Sequence, residues 1–428
     1  MSTQILCPRE RLDGSGWQRP LSVLRLRACR LWLIGQVISG IGTWMTRLAV
    51  AWLVFRLSHS ALILGVVSFA GQIPVLLLAP LTGPIVDKCD KRRLFAATQL
   101  LSMLQAFALA YLTFAQHVTM GYVIALSVVR GCIGAFDLPT RQTVISGLAT
   151  SSEHRSGVLA LDSLVVNLCR LVGPSLAGLL LAKSGEGLCF LIDGMSYVAS
   201  LAALLLIGGQ SVESSSVDCP QRLTDGWMLL REDSQVRMAL MLLCVTSLVA
   251  LPFTVLLPIH VHDVLKLGPS VLGILGCASS AAAIAAAYLV SISMKLSYSN
   301  VCGYFGLIGS AIGLVGLASS ERLLFSLLAV FAISFSIMLQ ISTANIFIQA
   351  NAPERLRGTI STFYVAAFWG MAPIGGLAVG LSARLFGCRA ALELNAFACV
   401  AVVALCYGGS ASIAKSTSGT QQSISTRC

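Results

Sequence analysis

The sequence predicts an all-α polytopic membrane protein, with twelve transmembrane helices in two pseudo-symmetric six-helix bundles, on three observations. Apolar residues make up 56% of the 428 residues and charged residues only 11%, where soluble chains carry roughly 25% charged. Apolar runs of about 20 residues, the length that crosses a bilayer, recur along the chain. One polar stretch near the middle interrupts them. A surface this poor in charge is solvated by lipid.

Taken in order, a basic N-terminal tail (1–30) precedes spans near Leu31–Phe55, Ala61–Val86, Leu94–Gln116, Val118–Phe136, Val158–Ala182 and Gly187–Gly209. The first is too long, and starts too far from the N-terminus, for a cleaved signal. A polar linker (210–236) follows. Six more spans lie near Met238–Val261, Pro269–Ser293, Val301–Ser319, Leu323–Gln349, Thr359–Phe386 and Cys388–Gly408. The halves are therefore 31–209 and 237–408. The tail 409–428 is rich in Ser, Thr and Gln and is expected to be disordered. With both termini in the cytoplasm, 20 of the 29 Lys and Arg fall on inside segments and 6 on outside connectors. That bias sets both the orientation and the even number of spans.

Other classes are excluded on chemistry. The net charge of +11 sits in connectors and tails rather than on one face, so nucleic acid is not an expected partner. The 14 cysteines include no C-x-x-C pair and mostly fall within apolar runs, as small packing residues do. His260 and His262 diverge by about 200° on a helix and make no metal site. No catalytic motif or phosphate loop is present, so neither enzyme nor cofactor is expected. The expected partners are a small-molecule substrate, protons and the bilayer, and the expected state is a monomer.

The halves share punctuation. Glu153-His154-Arg155-Ser156-Gly157 precedes a span with Gly173-Pro174 and Gly178; Glu354-Arg355-Leu356-Arg357-Gly358 precedes one with Ala372-Pro373 and Gly375-Gly376. An internal repeat is a common plan for secondary transporters.

Gly83-Pro84-Ile85-Val86-Asp87-Lys88-Cys89-Asp90-Lys91-Arg92-Arg93 resembles the G-x-x-x-D-[RK]-x-G-x-[RK]-[RK] loop of the major facilitator superfamily, with Asp90 where Gly is usual. Arg130-Gly131 with Gly134-Ala135 resembles a second motif of that superfamily. Gly173-Pro174-Ser175-Leu176-Ala177-Gly178 resembles its antiporter motif in part, with Cys169 where Gly is typical. Gly42-Thr43-Trp44-Met45, Ala135-Phe136-Asp137-Leu138-Pro139-Thr140-Arg141-Gln142 and Cys189-Phe190-Leu191-Ile192-Asp193 are similar to stretches of the enterobactin-exporter-like and macrolide-efflux-like permeases, which more often carry Asn at the position of Asp193. The resemblance implies proton-driven export of small amphipathic compounds, such as drugs or a siderophore, across the bacterial inner membrane. Proton-coupled import of a small nutrient is the alternative on the same fold.

Three groups of residues are candidates. Gly83, Asp87, Lys88, Arg92 and Asp137 are expected to form a cytoplasmic gate. Asp87 would meet the partly positive start of the eleventh span at Thr359, and Arg92 would pair with Asp137. Such contacts favour the outward-facing state, because they exist only when the cytoplasmic side is closed; the alternative is that these charges only set topology. Charges within spans cost roughly 2.5–3.5 kcal/mol each on insertion scales and mark function by default. Arg130, Asp162, Arg170, Asp193 and Glu393 are therefore expected in proton coupling, the carboxylates ranked Asp193, Asp162, Glu393, each against the alternative of a static ion pair. Trp44, Arg47, Gln340 and Asn345 are expected to line the substrate cavity, with Gln349 near them. There Arg47 would face an anion such as a catecholate or carboxylate, or else snorkel to the headgroups, and the amides could instead make interhelical hydrogen bonds. Gly173, Pro174 and Gly178 predict a kinked, closely packed fifth span that seals against leak.

Overall fold

The structure, a computed structural model, describes residues 23–148, 152–208, 233–292, 300–351 and 357–425. In lipid every backbone N–H and C=O must be satisfied within the protein, and helices do this within one segment. The first half contains α1 (Arg27–Ser58), α2 (Ala61–Lys88), α3 (Lys91–Phe114), α4 (Met120–Gly147), α5 (Ser152–Ser184) and α6 (Glu186–Ile207). The second contains α7 (Ser234–Val264), α8 (Pro269–Ile292), α9 (Asn300–Ser319), α10 (Leu323–Asn351), α11 (Arg357–Phe386) and α12 (Cys388–Ser425). Eleven of these carry an apolar stretch long enough to cross a membrane; α9 has the shorter apolar run Gly303–Ser319. Within α7, the turns Thr246–Ala250 and His260–Val264 are π-helical.

Local chemistry explains the ends. Asp90 caps α3, its carboxylate accepting from the backbone N–H groups of Arg92 (3.0 Å) and Arg93 (2.9 Å). Glycine ranks not far below aspartate at an N-cap, which accounts for Asp90 where the family loop usually has Gly. The backbone N–H groups of Arg93 and Arg92 hold the Asp90 carboxyl below its ordinary pKa. Its charged cap is therefore present above the usual carboxylate range and is lost as pH falls through the lowered value. His59, Gln116 and Lys266 turn the chain in the left-handed region.

Two expectations need correction. α4 runs to Gly147 rather than ending near Phe136, so Arg141 lies on a helix and not in a connector. α12 continues to Ser425 through the tail expected to be disordered; no proline stands there to stop it.

Packing repeats between the halves. α1 packs on α5 and α6, α2 on α4, and α3 on α4 and α6; α7 packs on α11 and α12, α8 on α10, and α9 on α10 and α12. The last helix of each half starts after a glycine of positive φ, Gly185 (76°) and Gly387 (88°). Counting from these, Asp193 and Asn395 occupy the same step. Counting back from His59 and Lys266, Gly42 and Val249 do likewise. The contacts match: Asp193 lies against Gly42, and Asn395 donates to the Val249 carbonyl at 3.0 Å.

The halves meet along two seams, α2 with α11 and α5 with α8. Both are helix-to-helix contacts through glycine. A Cβ at Gly65 would lie 2.6 Å from the Gly376 oxygen, and one at Gly273 would lie 2.6 Å from the Pro174 oxygen and 2.9 Å from the Gly178 Cα. Toward the His59 end, one apolar core crosses both halves, joining Phe55, Leu64 and Leu181 to Phe253, Leu272 and Val379. Toward the Cys89 end there are two separate cores. One holds Trp32, Phe95 and Ile145 in the first half, and the other Val236, Leu243 and Ile348 in the second. The bundle is thus closed at the His59 end and divided at the other.

Gly273→Leu should part α5 from α8 and expose Cys277, one turn further along. Alkylation of Cys277, followed by peptide mass spectrometry, is expected to speed up about tenfold, by analogy with a seam loosened by 1–2 kcal/mol. Unchanged reactivity would count against the seam.

Candidate functional site

Charged and polar side chains converge inside the first half. Counted at 1.5 Å per residue, Arg47 on α1, Arg130 on α4, Arg170 on α5 and Asp193 on α6 lie about 10–21 Å from the closed end. The guanidinium carbons of Arg47 and Arg170 stand over the Trp44 ring, 4.5 Å and 5.7 Å from its centroid. Arg130 donates to the Ser102 hydroxyl at 2.8 Å and stands 6.0 Å over the Tyr197 ring. The Tyr197 hydroxyl in turn meets Thr43 at 3.1 Å. Asp193 is 2% exposed, and the cations that act on it most strongly are Arg130 and then Arg47. The Thr46 and Ser196 hydroxyls lie beside its carboxylate, though its Oδ1 makes no hydrogen bond of ordinary geometry. Arg47, by contrast, is exposed although it sits within a span, and Trp44 and Arg170 are half-buried. These groups therefore line an accessible cavity, with Asp193 behind them.

Glycines set this geometry. A Cβ at Gly42 would lie 2.8 Å from Asp193 Oδ1 and 2.5 Å from Ser196 Oγ; one at Gly173 would lie 2.6 Å from Trp44 Cβ. Gly42 thus admits α6 to α1, and Gly173 admits α5, which brings Arg170 to Trp44. Pro174 and Gly178 face α8 instead. Pro174 has no N–H to give the Arg170 carbonyl four residues earlier, and Ser280 on α8 donates to that carbonyl at 2.8 Å. Cys277 meets Ser175 at 2.5 Å in the same seam.

The other candidates lie elsewhere. Arg92 does not pair with Asp137. It donates to the α6 carbonyls of Leu204 (2.7 Å) and Gly208, because it lies in the first turn of α3 beside the end of α6. Asp137 accepts from Thr98 (2.9 Å) and Gln99 (2.8 Å). Asp162 is not grouped with Arg170, about 12 Å further along α5; it forms a 2.6 Å ion pair with Arg141 that ties α5 to α4. Glu393 pairs with Arg389 at 3.1 Å, both exposed, on the surface of α12. Gln340 is 1% exposed and lines no cavity: it accepts from Thr246 at 2.8 Å and donates to the Leu242 carbonyl at 3.2 Å, joining α10 to α7. Asn345 accepts from Gln349 at 2.6 Å on the same helix. Gly83 has open space around it and Lys88 is exposed. The side chains of Asp87 and Thr359 lie outside the described residues. Tyr197 and Ser280 were not among the sequence candidates. Tyr197 had a signal, the polar stripe Asp193, Ser196, Tyr197, Ser200 on one face of α6; Ser280 had none.

Two six-helix halves around an intramembrane charged cavity define a membrane transporter of the major facilitator superfamily rather than an enzyme. The chain belongs to that superfamily's transmembrane secretion effector family, whose sequence profile matches residues 18–423. It is 25% identical over 380 residues to the staphyloferrin A transporter of Staphylococcus aureus (strain NCTC 8325 / PS 47), covering 86% of this chain and 92% of that one. It is 28% identical over 180 residues to the multidrug efflux pump Tap of Mycolicibacterium fortuitum (41% and 44%), and 20% identical over 243 residues to macrolide efflux protein A of Streptococcus pyogenes (56% and 60%). Its fold is similar to that of a bacterial homolog of the human lysosomal transporter Spinster, with a TM-score of 0.70 at 12% identity, covering 90% of this chain and 96% of that one.

Gly42→Val should destabilise the protein by about 1–3 kcal/mol through overpacking. In a double-mutant cycle, Asp193→Ala should recover part of that loss, with a coupling of about 0.5–3 kcal/mol. Thermal unfolding of the four proteins measures it, and simple additivity would separate the two residues.

Proposed function

We propose that the protein exports small amphipathic compounds, of the drug or siderophore kind, from the cytoplasm by alternating access, driven by protons taken up at Asp193. The observation that carries this reading is Asp193 itself. The step it occupies in α6 is filled in the repeat by Asn395, a neutral amide satisfied by backbone. Asparagine is enough for packing at that step, so the ionisable group in the first half serves chemistry. A buried carboxylate beside Arg130 is electrostatically held while charged and released when protonated. In this reading both termini are cytoplasmic and the membrane is the bacterial inner membrane. The divided Cys89 end then faces the cytoplasm, and the bundle is inward-facing. Gly83, Asp87, Lys88 and Arg92 stand on the open side, where they would meet the second half when that side closes. The profile's description and the efflux relatives support the outward direction.

One observation favours a second reading, symport. Asp193 lies behind the cavity arginines and interacts with them, so a proton on Asp193 and an anion on the arginines would stabilise each other's binding. In a symporter they would travel together.

In cells lacking their own pumps, the wild-type chain should lower accumulation of a fluorescent efflux substrate, and a protonophore should restore it. Asp193→Asn, at an unchanged protein level, should remove the protonophore-sensitive flux, about tenfold or more; wild-type flux from this variant would sink the coupling role. Accumulation raised by the wild-type chain would favour symport. Asp87→Asn should likewise abolish flux without loss of protein, and normal flux would exclude the gate.

A further inference from the structure

Charge is unevenly shared in the cavity. Arg130 has two carboxylates as electrostatic neighbours, Asp137 and Asp193. Arg47 has Arg130 and Arg170 as its foremost charged neighbours, with Asp193 last. Among the described residues, neither Arg47 nor Arg170 has a carboxylate within 4 Å. Two guanidiniums therefore stand over one indole, reachable from the cavity, without an ion-pair partner. An intramembrane charge in this position is expensive, and such charges are normally paired or face a pathway for an ion.

The geometry also restricts what the cavity can take. The Trp44 ring holds both guanidiniums by cation–π attraction and so is already engaged, which leaves little of it for stacking on a substrate ring. What remains to a ligand is the row of N–H groups on each planar guanidinium. That fork matches a carboxylate, two N–H groups to two oxygens. Two forks match two carboxylates. A cation would meet three arginines and be repelled.

We infer that Arg47 and Arg170 together bind an anion bearing two or more carboxylates beside Trp44. The inference rests on the transporter reading but concerns binding alone, so it can fail while that reading stands. Arg47 and Arg170 are binding residues, and Trp44 is a positioning residue that holds them.

The test is binding of succinate, citrate, acetate and ethidium to the full chain in phosphatidylcholine nanodiscs, by calorimetry at pH 7.5. Succinate and citrate should bind at least about tenfold more tightly than acetate, and ethidium should not compete. Arg47→Gln and Arg170→Gln should each weaken citrate binding about tenfold or more, with Arg47→Lys intermediate, because it keeps the charge and loses the fork. Arg389→Gln, far from the cavity, should bind as wild type does. If a Gln variant does not fold, Arg47→Lys and Trp44→Phe carry the comparison, and both should weaken citrate more than acetate. Equal affinity for acetate, binding of ethidium in place of citrate, no carboxylate binding by the wild-type chain, or citrate affinity untouched by the variants would each overturn the proposal. So would displacement of citrate by phosphatidylglycerol in the nanodisc, which would make a lipid phosphate the occupant. Loss of flux in Asp193→Asn beside any of these outcomes would leave the transport reading in place.

Discussion

Lipid offers no hydrogen bonds, so any backbone group released inside a span must find its partner in the protein. This constraint ties the helices together at the places that matter. Pro174 leaves the Arg170 carbonyl without its helical donor, and the donor comes from Ser280, in the other half. A proline that would weaken an isolated helix is thus answered by a bond across the α5–α8 seam, one residue from Cys169 and directly at the cavity arginine. The π-turn at Thr246–Ala250 meets the same constraint inside the second half, where Asn395 takes the Val249 carbonyl. In the proposed cycle, opening that parts α5 from α8 would break the Ser280 bond, and the Arg170 carbonyl would then need water, which the opening itself would admit.

The two halves repeat shape and differ in chemistry. Their helix pairings correspond, and so do the glycine-started last helices. Yet the cavity charges Arg47, Arg130, Arg170 and Asp193 all belong to the first half. In the second, the buried polar contacts described are amide, hydroxyl and imidazole: Gln340 with Thr246, Ser334 with Ser279, and His260 with Ser320 and Ser326. One half carries the electrostatics and the other presents a largely neutral face to it. The closed end follows the same division, since among the described residues what joins the halves there is apolar packing and glycine contact rather than ion pairs. Apolar contact is non-directional and re-forms readily, which would suit a surface that separates in the proposed cycle.

Span positions, the two halves and the superfamily were legible in the sequence, because hydropathy and motif spacing are one-dimensional. Asp193, Arg47, Arg130 and Arg170 were legible as candidates for the same reason, since a charge within an apolar run stands out. Their convergence around Trp44 was not, nor was the contrast between Asp193 and Asp162. Both are carboxylates within span-length helices, but Asp162 faces Arg141, which lay beyond the expected end of the fourth span. Gln340, a cavity candidate, and Glu393, a proton-coupling candidate, lie elsewhere because a polar residue in a helical run does not by itself say which way it points. Gln340 turns to α7 and Glu393 to the surface. Arg92 found carbonyls rather than Asp137 because the end of α6 lies beside it, a neighbour that only tertiary packing supplies.

The number of negative charges on the substrate bears on direction. A dianion leaving a cell that is negative inside moves with the potential, by about 2.3 kcal/mol per charge per 100 mV. In the symport reading, where a proton on Asp193 travels with it, the net charge moved would fall to one and the outward drive to about 2.3 kcal/mol per 100 mV. A cytoplasm one pH unit more alkaline than the outside opposes that proton by about 1.4 kcal/mol. The sum still points outward. A monoanion with one proton carries no net charge, so the same pH difference would draw it inward. At equal substrate concentration on the two sides, positive linkage between proton and anion is therefore compatible with outward movement only if the anion carries at least two charges. Two guanidiniums without carboxylate partners over Trp44 would supply the complement for that charge, so the proposed polycarboxylate site and the proposed outward direction support each other.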